Sequence, residues 1–161
     1  MTAASLHTAL RAVGLAKDVR PEAFALLVQE ARESAGEDDD WLVLHVLSQL
    51  YGFETDDPNA AARCVRDRLL VFNEFHETDL DAFTSRLRAF AGALDIEAAL
   101  AFAPRGDDLP YEAIEDLAEA LTTALADRAQ RVHVFGVDSD VAVLVRDAIP
   151  PEAPPIIRPT E

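Results

Sequence analysis

Residues 131–146 read RVHVFGVDSDVAVLVR, and their interpretation decides the fold. Apolar and β-branched residues recur with a period near two on both sides of the central Asp138-Ser139-Asp140, which is the signature of strands. With Asp138 and Ser139 as a two-residue hairpin turn, Val137 faces Asp140, Gly136 faces Val141, Phe135 faces Ala142, Val134 faces Val143 and Val132 faces Val145. That register collects Val132, Val134, Val141, Val143 and Val145 on one face, expected to be core. Arg131, His133, Phe135, Leu144 and Arg146 fall on the other. Asp and Ser are ordinary turn residues, although the favoured Asn-Gly or Asp-Gly pair is missing.

The same stretch carries a chemical alternative, because a strand ending in Asp-x-Asp can present Asp138 and Asp140 to a metal ion or a phosphoryl group. VFGVDSDVAV resembles the first motif of the haloacid dehalogenase phosphotransferases, in which the leading Asp is the nucleophile and the second an acid/base. That resemblance implies further Ser/Thr, Lys and acidic motifs downstream, and 21 residues follow Asp140. Sugar-nucleotide transferases also hold a divalent cation on a strand-end Asp-x-Asp, but in a nucleotide domain larger than this chain. A calcium loop calls for an acidic or amide ligand where Ala142 stands, Gly where Val143 stands and Glu where Ile149 stands. The turn is therefore preferred, and Asp138 and Asp140 remain candidate metal ligands.

A second candidate lies in NEFHETDLD, where Glu74, His76, Glu77 and Asp79 crowd together. A His among carboxylates binds cations or titrates near neutrality, and His76 with Glu77 is the pair to watch. The His-Glu-x-x-His spacing that sets two ligands on one helical face is missing, so a solvated connection is the simpler reading. Cys64 stands alone, which rules out an internal disulfide and a Cys-x-x-Cys zinc site. No Walker loop, Gly-rich dinucleotide turn or Gly-x-Ser-x-Gly elbow occurs, and with six glycines in the chain no cofactor is expected.

Upstream, helical periodicity dominates. Leu6, Leu10 and Val13 suggest a short helix over 3–16, and Pro21 opens a second whose apolar face is Phe24, Leu27, Val28 and Ala31. Asp38, Asp39 and Asp40 crowd the start of a third, apolar almost all round from Trp41 to Tyr51, with His45, Ser48 and Gln49 as its polar stripe. Such a helix belongs at the buried centre, and its acidic start reads as capping and dipole complementarity. Asp57 and Pro58 open a fourth, expected to run through at least Arg68 with Cys64 and Val65 inward. Thr78 with Asp81 resembles a capping box before Leu80, Phe83, Leu87, Phe90 and Leu94. Pro110 opens a helix with Ile114, Leu117, Ala118, Leu121 and Leu125 inside. The short apolar runs 69–72 and 98–102 are undecided between helix and strand.

The expected fold is α+β: a mainly helical domain over 1–149 with a C-terminal antiparallel hairpin, extended to a small mixed sheet of four strands if both undecided runs are strands. Residues 150–161, with five prolines between Pro150 and Pro159, are expected to form an extended tail. Within it Ile156 and Ile157 are candidates for docking on the parent domain or a partner.

Thirty acidic residues against 14 basic ones give a net charge of −16, which opposes binding to a phosphate backbone. The densest basic group, Arg63, Arg66 and Arg68, encloses Asp67 and forms no basic stripe. The apolar run 41–50 is too short and too interrupted to span a bilayer, and MTAASLHTAL lacks the basic start and apolar stretch of a signal peptide. The expectation is a cytoplasmic protein with no nucleic-acid or membrane partner, acting without catalysis as an interaction or regulatory protein. Its partner would be a basic protein, as when an immunity or inhibitor protein meets a cationic toxin, with Asp38 and Asp39 as contact candidates. A small metal-dependent hydrolase built on Asp138 and Asp140, and a ligand-binding module with His45 or His133 in its pocket, are the alternatives. Oligomeric state is not legible.

Overall fold

The computed structural model describes residues 1–52, 59–73, 80–96, 111–137 and 140–158. Four helices come first: α1 (Ala3–Ala12), α2 (Pro21–Ala35), α3 (Asp39–Tyr51) and α4 (Ala60–Asp67). Strand β1 (Leu69–Asn73) follows, then α5 (Leu80–Ala93), α6 (Tyr111–Leu125), β2 (Arg131–Val137) and β3 (Asp140–Arg146). The three strands form an antiparallel sheet in the order β1-β3-β2. The fold is α+β, with the C-terminal hairpin expected from the sequence.

The hairpin pairs in the register that the valine alternation dictates, from Arg131 opposite Arg146 to Val137 opposite Asp140. Its valine face is core on β3 and half-buried on β2: Val141, Val143 and Val145 pack with Leu70 against Leu87, Phe90 and Ala91 of α5, Leu94 just after it, and Leu117, Leu121 and Leu125 of α6, with Val132 and Val134 beside them. The expectation of one core face is nevertheless too small. Leu69, Val71, Phe135, Ala142 and Leu144, on the opposite face, pack against α1, α2 and α3. The sheet is therefore a middle layer between two helical layers, and all five residues 141–145 of β3 are buried. A continuous apolar run, VAVLV, is what a strand covered on both faces requires.

Local chemistry sets the helix ends. Thr2 and Ser5 form a capping box at the start of α1. The helix stops short of the expected residue 16, because Gly14 takes φ +88° and turns the chain. Pro21 occupies the first turn of α2. The Asp38 carboxylate accepts hydrogen bonds from the Asp40 and Trp41 N–H groups at 2.9 and 3.0 Å, capping α3. As expected, α3 is the buried centre, with Leu42, Val43, Leu44, Val46 and Leu47 all sealed from solvent. Helix α4 ends one residue before the expected limit: Arg68 adopts the left-handed conformation (φ 57°, ψ 41°) and the chain passes directly into β1. Its expected start at Asp57 and Pro58, the capping pair's Thr78, Pro110 and the undecided run 98–102 lie outside the described residues.

The proline-rich C-terminal segment, expected to be extended, turns back on the domain instead. The Ala153 N–H donates to the Pro150 carbonyl, and a short 3-10 turn, Pro155–Ile157, follows. Ala153 and Ile157 are fully buried in the α1–α3 core, with Ile149 and Ile156 packed beside them. Among the described residues no helix is long and apolar enough to cross a membrane.

Because Ile157 fills space between α3 and β2, Ile157→Ala is expected to cost about 2–5 kcal/mol, the usual range for emptying a buried aliphatic site. Urea unfolding followed by far-UV circular dichroism measures this, and a loss below about 0.5 kcal/mol would show that the segment does not belong to the core.

Candidate functional site

The candidate metal ligands are placed only in part. Asp140 opens β3 between Val137 of β2 and Asn73 of β1, so its backbone is a ladder position on the central strand. Asp138 and Ser139, which join the paired strands, lie outside the described residues, as do Glu74, His76, Glu77 and Asp79. Among the described residues no three His, Cys, Asp or Glu side chains converge closely enough to hold a metal ion.

The four partner candidates have structural occupations. Asp38 caps α3. Asp39 accepts from the N-terminal amine at 3.1 Å and from Arg32 Nη2 at 3.0 Å, and these two bonds, the amine's foremost, hold its carboxyl below the usual carboxylate range. Ile157 faces the interior, while Ile156 is half-buried at the rim of a cleft of about 350 Å³ with Asp40, Val134, Phe135, Gly136, Pro155 and Arg158. A second concavity, about 410 Å³ and largely apolar, runs between α1 and α2 along Ala3, Ala25, Val28, Gln29, Arg32 and Glu33.

The densest polar constellation is one that the sequence reading passed over. The Tyr51 hydroxyl donates to Asp67 Oδ2 at 2.6 Å and accepts from the Ala16 N–H at 2.7 Å. Arg66 grips the same carboxylate through Nε and Nη2 at 2.9 and 3.1 Å, and also pairs with the exposed Asp18. Arg146 Nη2 donates to the Gly14 carbonyl at 3.2 Å and to the Asp67 carbonyl. Cys64 donates its thiol to the Tyr51 carbonyl at 2.7 Å, which accounts for a buried lone cysteine without assigning it reactivity. Burial first, then the Asp67 carboxylate, push the Tyr51 phenol far above its ordinary value, against the Ala16 N–H bond, which lowers it. It stays a neutral donor, and the cluster's chemistry is cohesion: Asp67 is about 5% exposed and offers no substrate a path.

The histidines divide similarly. His7 is buried, stacked on Phe24 with ring centroids 4.4 Å apart, and its Nε2 meets the Ala16 carbonyl at 3.3 Å. His45 sits 5.6 Å from the Trp41 ring. His133, on the α1–α3 face of β2, has its Nε2 buried without a hydrogen-bond partner, and burial together with Arg131 depresses its basicity. Neither His45 nor His133 lines either of the two concavities.

Two measurements test this assignment of cohesion. Tyr51→Phe strands the buried Ala16 N–H and removes a donor from Asp67, so a loss of about 1–3 kcal/mol is expected in urea unfolding. For His133 the folded chain binds its proton less readily than the unfolded one. The neutral imidazole's contribution is thus complete above the unfolded value of about 6.5 and is lost as pH falls below it. Thermal denaturation from pH 7 to pH 5 should therefore show His133→Gln gaining steadily on the parent; a constant difference would contradict the depressed basicity.

No protein-family model matches this chain, and neither the curated proteins nor the solved structures contain one significantly similar to it.

Proposed function

We propose that this chain is a non-catalytic interaction or regulatory protein, cytoplasmic, whose partner is a basic protein rather than a nucleic acid or a membrane. One observation carries the reading. Between Pro21 and Asp40 seven carboxylates, Glu22, Glu30, Glu33, Glu37, Asp38, Asp39 and Asp40, stand against a single basic residue, Arg32. Six of the seven are exposed and Asp39 is half-buried, and Arg32 is already engaged by Asp39 and by the Met1 carbonyl. The exposed Arg20 before Pro21 and the N-terminal amine on Asp39 are the neighbouring cations, so negative charge prevails along this stretch, within a molecule of net charge −16. A field of that sign accelerates and orients encounters with a cationic partner and repels phosphate backbones and anionic lipid surfaces.

The test is affinity capture with the intact chain at about 50 mM and about 300 mM salt, the second shortening the electrostatic range to a few ångströms. The expected outcome is a discrete basic protein retained at low salt and largely lost at high salt, with direct binding then measured by calorimetry. Retention of no partner, or of one whose affinity ignores salt, would remove the basis of the proposal.

A further inference from the structure

The exposed carboxylates of α2 do not stand alone, because they border apolar surface. Among the described residues two large hydrophobic side chains are exposed, Leu26 at 64% and Met1 at 40%. Neither lines the concavity between α1 and α2, but each is joined to it through a lining residue. Leu26 adjoins Ala25 on the outer side of α2, and Met1 is tied to the groove-lining Arg32 through its carbonyl at 3.0 Å. Leu26 also lies one helical turn from each of Glu22 and Glu30, so an apolar contact and its acidic border share a stripe.

We propose that the α1–α2 groove is the seat for a cationic amphipathic segment of the partner protein, with one apolar side chain over Ala25 and Val28 in the groove, another against Leu26 at its margin, and Lys or Arg residues against Glu22, Glu30 and Glu33. This rests on the basic-partner reading above and gives it a location. Charge selects the occupant. A second copy would bring two surfaces of the same sign together, and an anionic bilayer would be repelled in the same way. Two cations stand at the groove, Arg32 in its wall and the N-terminal amine of Met1 beside it, and both pair with Asp39, at 3.0 and 3.1 Å, so a basic segment is directed to Glu22, Glu30 and Glu33 instead. An apolar trough with charged borders is also how grooves take up amphipathic helices, the trough supplying affinity and the border supplying register and on-rate.

The test uses the full chain, isotopically labelled, and two synthetic peptides of equal positive charge: an amphipathic Leu/Lys helix and an oligolysine. The Leu/Lys peptide should bind with amide shift changes centred on Ala3, Ala25, Leu26, Val28 and Gln29. Leu26→Ser, a surface change compatible with folding, should weaken it about tenfold, the scale of one lost apolar side chain. Glu22, Glu30 and Glu33 changed together to Gln should flatten its salt dependence, and oligolysine should bind more weakly and without the Leu26 effect. If the shifts centre elsewhere, or Leu26→Ser binds as the parent does, the groove assignment falls while the basic-partner reading stands. Failure of both peptides to bind at low salt overturns both. Sedimentation showing that the free chain dimerises through this face, with Leu26→Ser monomeric, assigns the groove to a second copy and likewise overturns the proposal.

Discussion

The hydrogen bond from Tyr51 to Asp67 fixes where four parts of the chain meet. A carboxylate removed from water costs several kcal/mol unless its lone pairs are occupied by well-placed donors. Asp67 meets that condition with the Tyr51 hydroxyl on one oxygen and the Arg66 guanidinium spanning both. Each donor arrives from a place the fold must then respect: Tyr51 from the last turn of α3, Arg66 from α4. Through its own oxygen Tyr51 also satisfies the Ala16 N–H in the α1–α2 connection. Arg146, at the end of β3, bonds the carbonyls of Gly14 and Asp67 and so ties the central strand of the sheet to the same point. Gly14 is glycine for that reason as well as for its positive φ: a Cβ there would lie 2.7 Å from the Arg146 guanidinium. The junction is tight because a side chain has been left out of it.

From that junction the layered arrangement follows. Arg68, left-handed and directly after Asp67, lets α4 become β1 without a loop, and its carbonyl accepts from the Val145 N–H to start the β1–β3 ladder. Helices before β1 cover one face of the sheet and helices after it cover the other. A three-stranded sheet buried on both sides needs apolar residues at successive positions of its central strand, and β3 supplies them. The α1–α3 face of edge strand β2 is completed by the C-terminal turn, where Ala153 and Ile157 enter the core and Arg158 Nε bonds the Ala153 carbonyl at 2.8 Å.

How much of this could be read from the sequence depended on whether the signal was local. Hairpin register was legible because a one-residue slip would have sent every valine to the wrong face. The central helix was legible from its all-round hydrophobicity. The second sheet face was not inferred, although VAVLV carried the information, because period-two alternation in β2 drew attention to one face only. The α4–β1 boundary was hidden: a left-handed Arg has no sequence signature, whereas Gly would have announced the turn. The buried cluster was hidden for another reason. Tyr51, Asp67 and Arg146 are far apart in sequence, and Asp67 among arginines looks like any solvated surface pair. On the candidate interaction face the acidic run was plain in the sequence, but its apolar complement was not. Leu26 falls off the stripe set by Phe24, Leu27, Val28 and Ala31, yet only the packing of α1 beside α2 shows that a groove opens next to it.

The arrangement of charges reinforces the functional reading in a way that composition alone does not. Several of the chain's few cations are spent internally. Arg128 bonds the carbonyls of Leu94 and Asp95, Arg146 those of Gly14 and Asp67, Arg158 that of Ala153, and Arg32 those of Gly36 and Met1. Guanidinium groups suit this work, since one planar fork reaches two oxygens and remains charged when partly buried. Carboxylates are used differently: Asp67 is enclosed and Asp39 paired, while Glu22, Glu30 and Glu33 of α2 are exposed, with Arg20 and Arg32 the basic residues nearest them in the chain. These four guanidinium groups tie structural elements together, whereas Arg11, Lys17, Arg20 and Arg88 share the exposed surface with the carboxylates. Mutual repulsion along that surface is a cost to the folded state, carried by the layered core and the junction at Asp67.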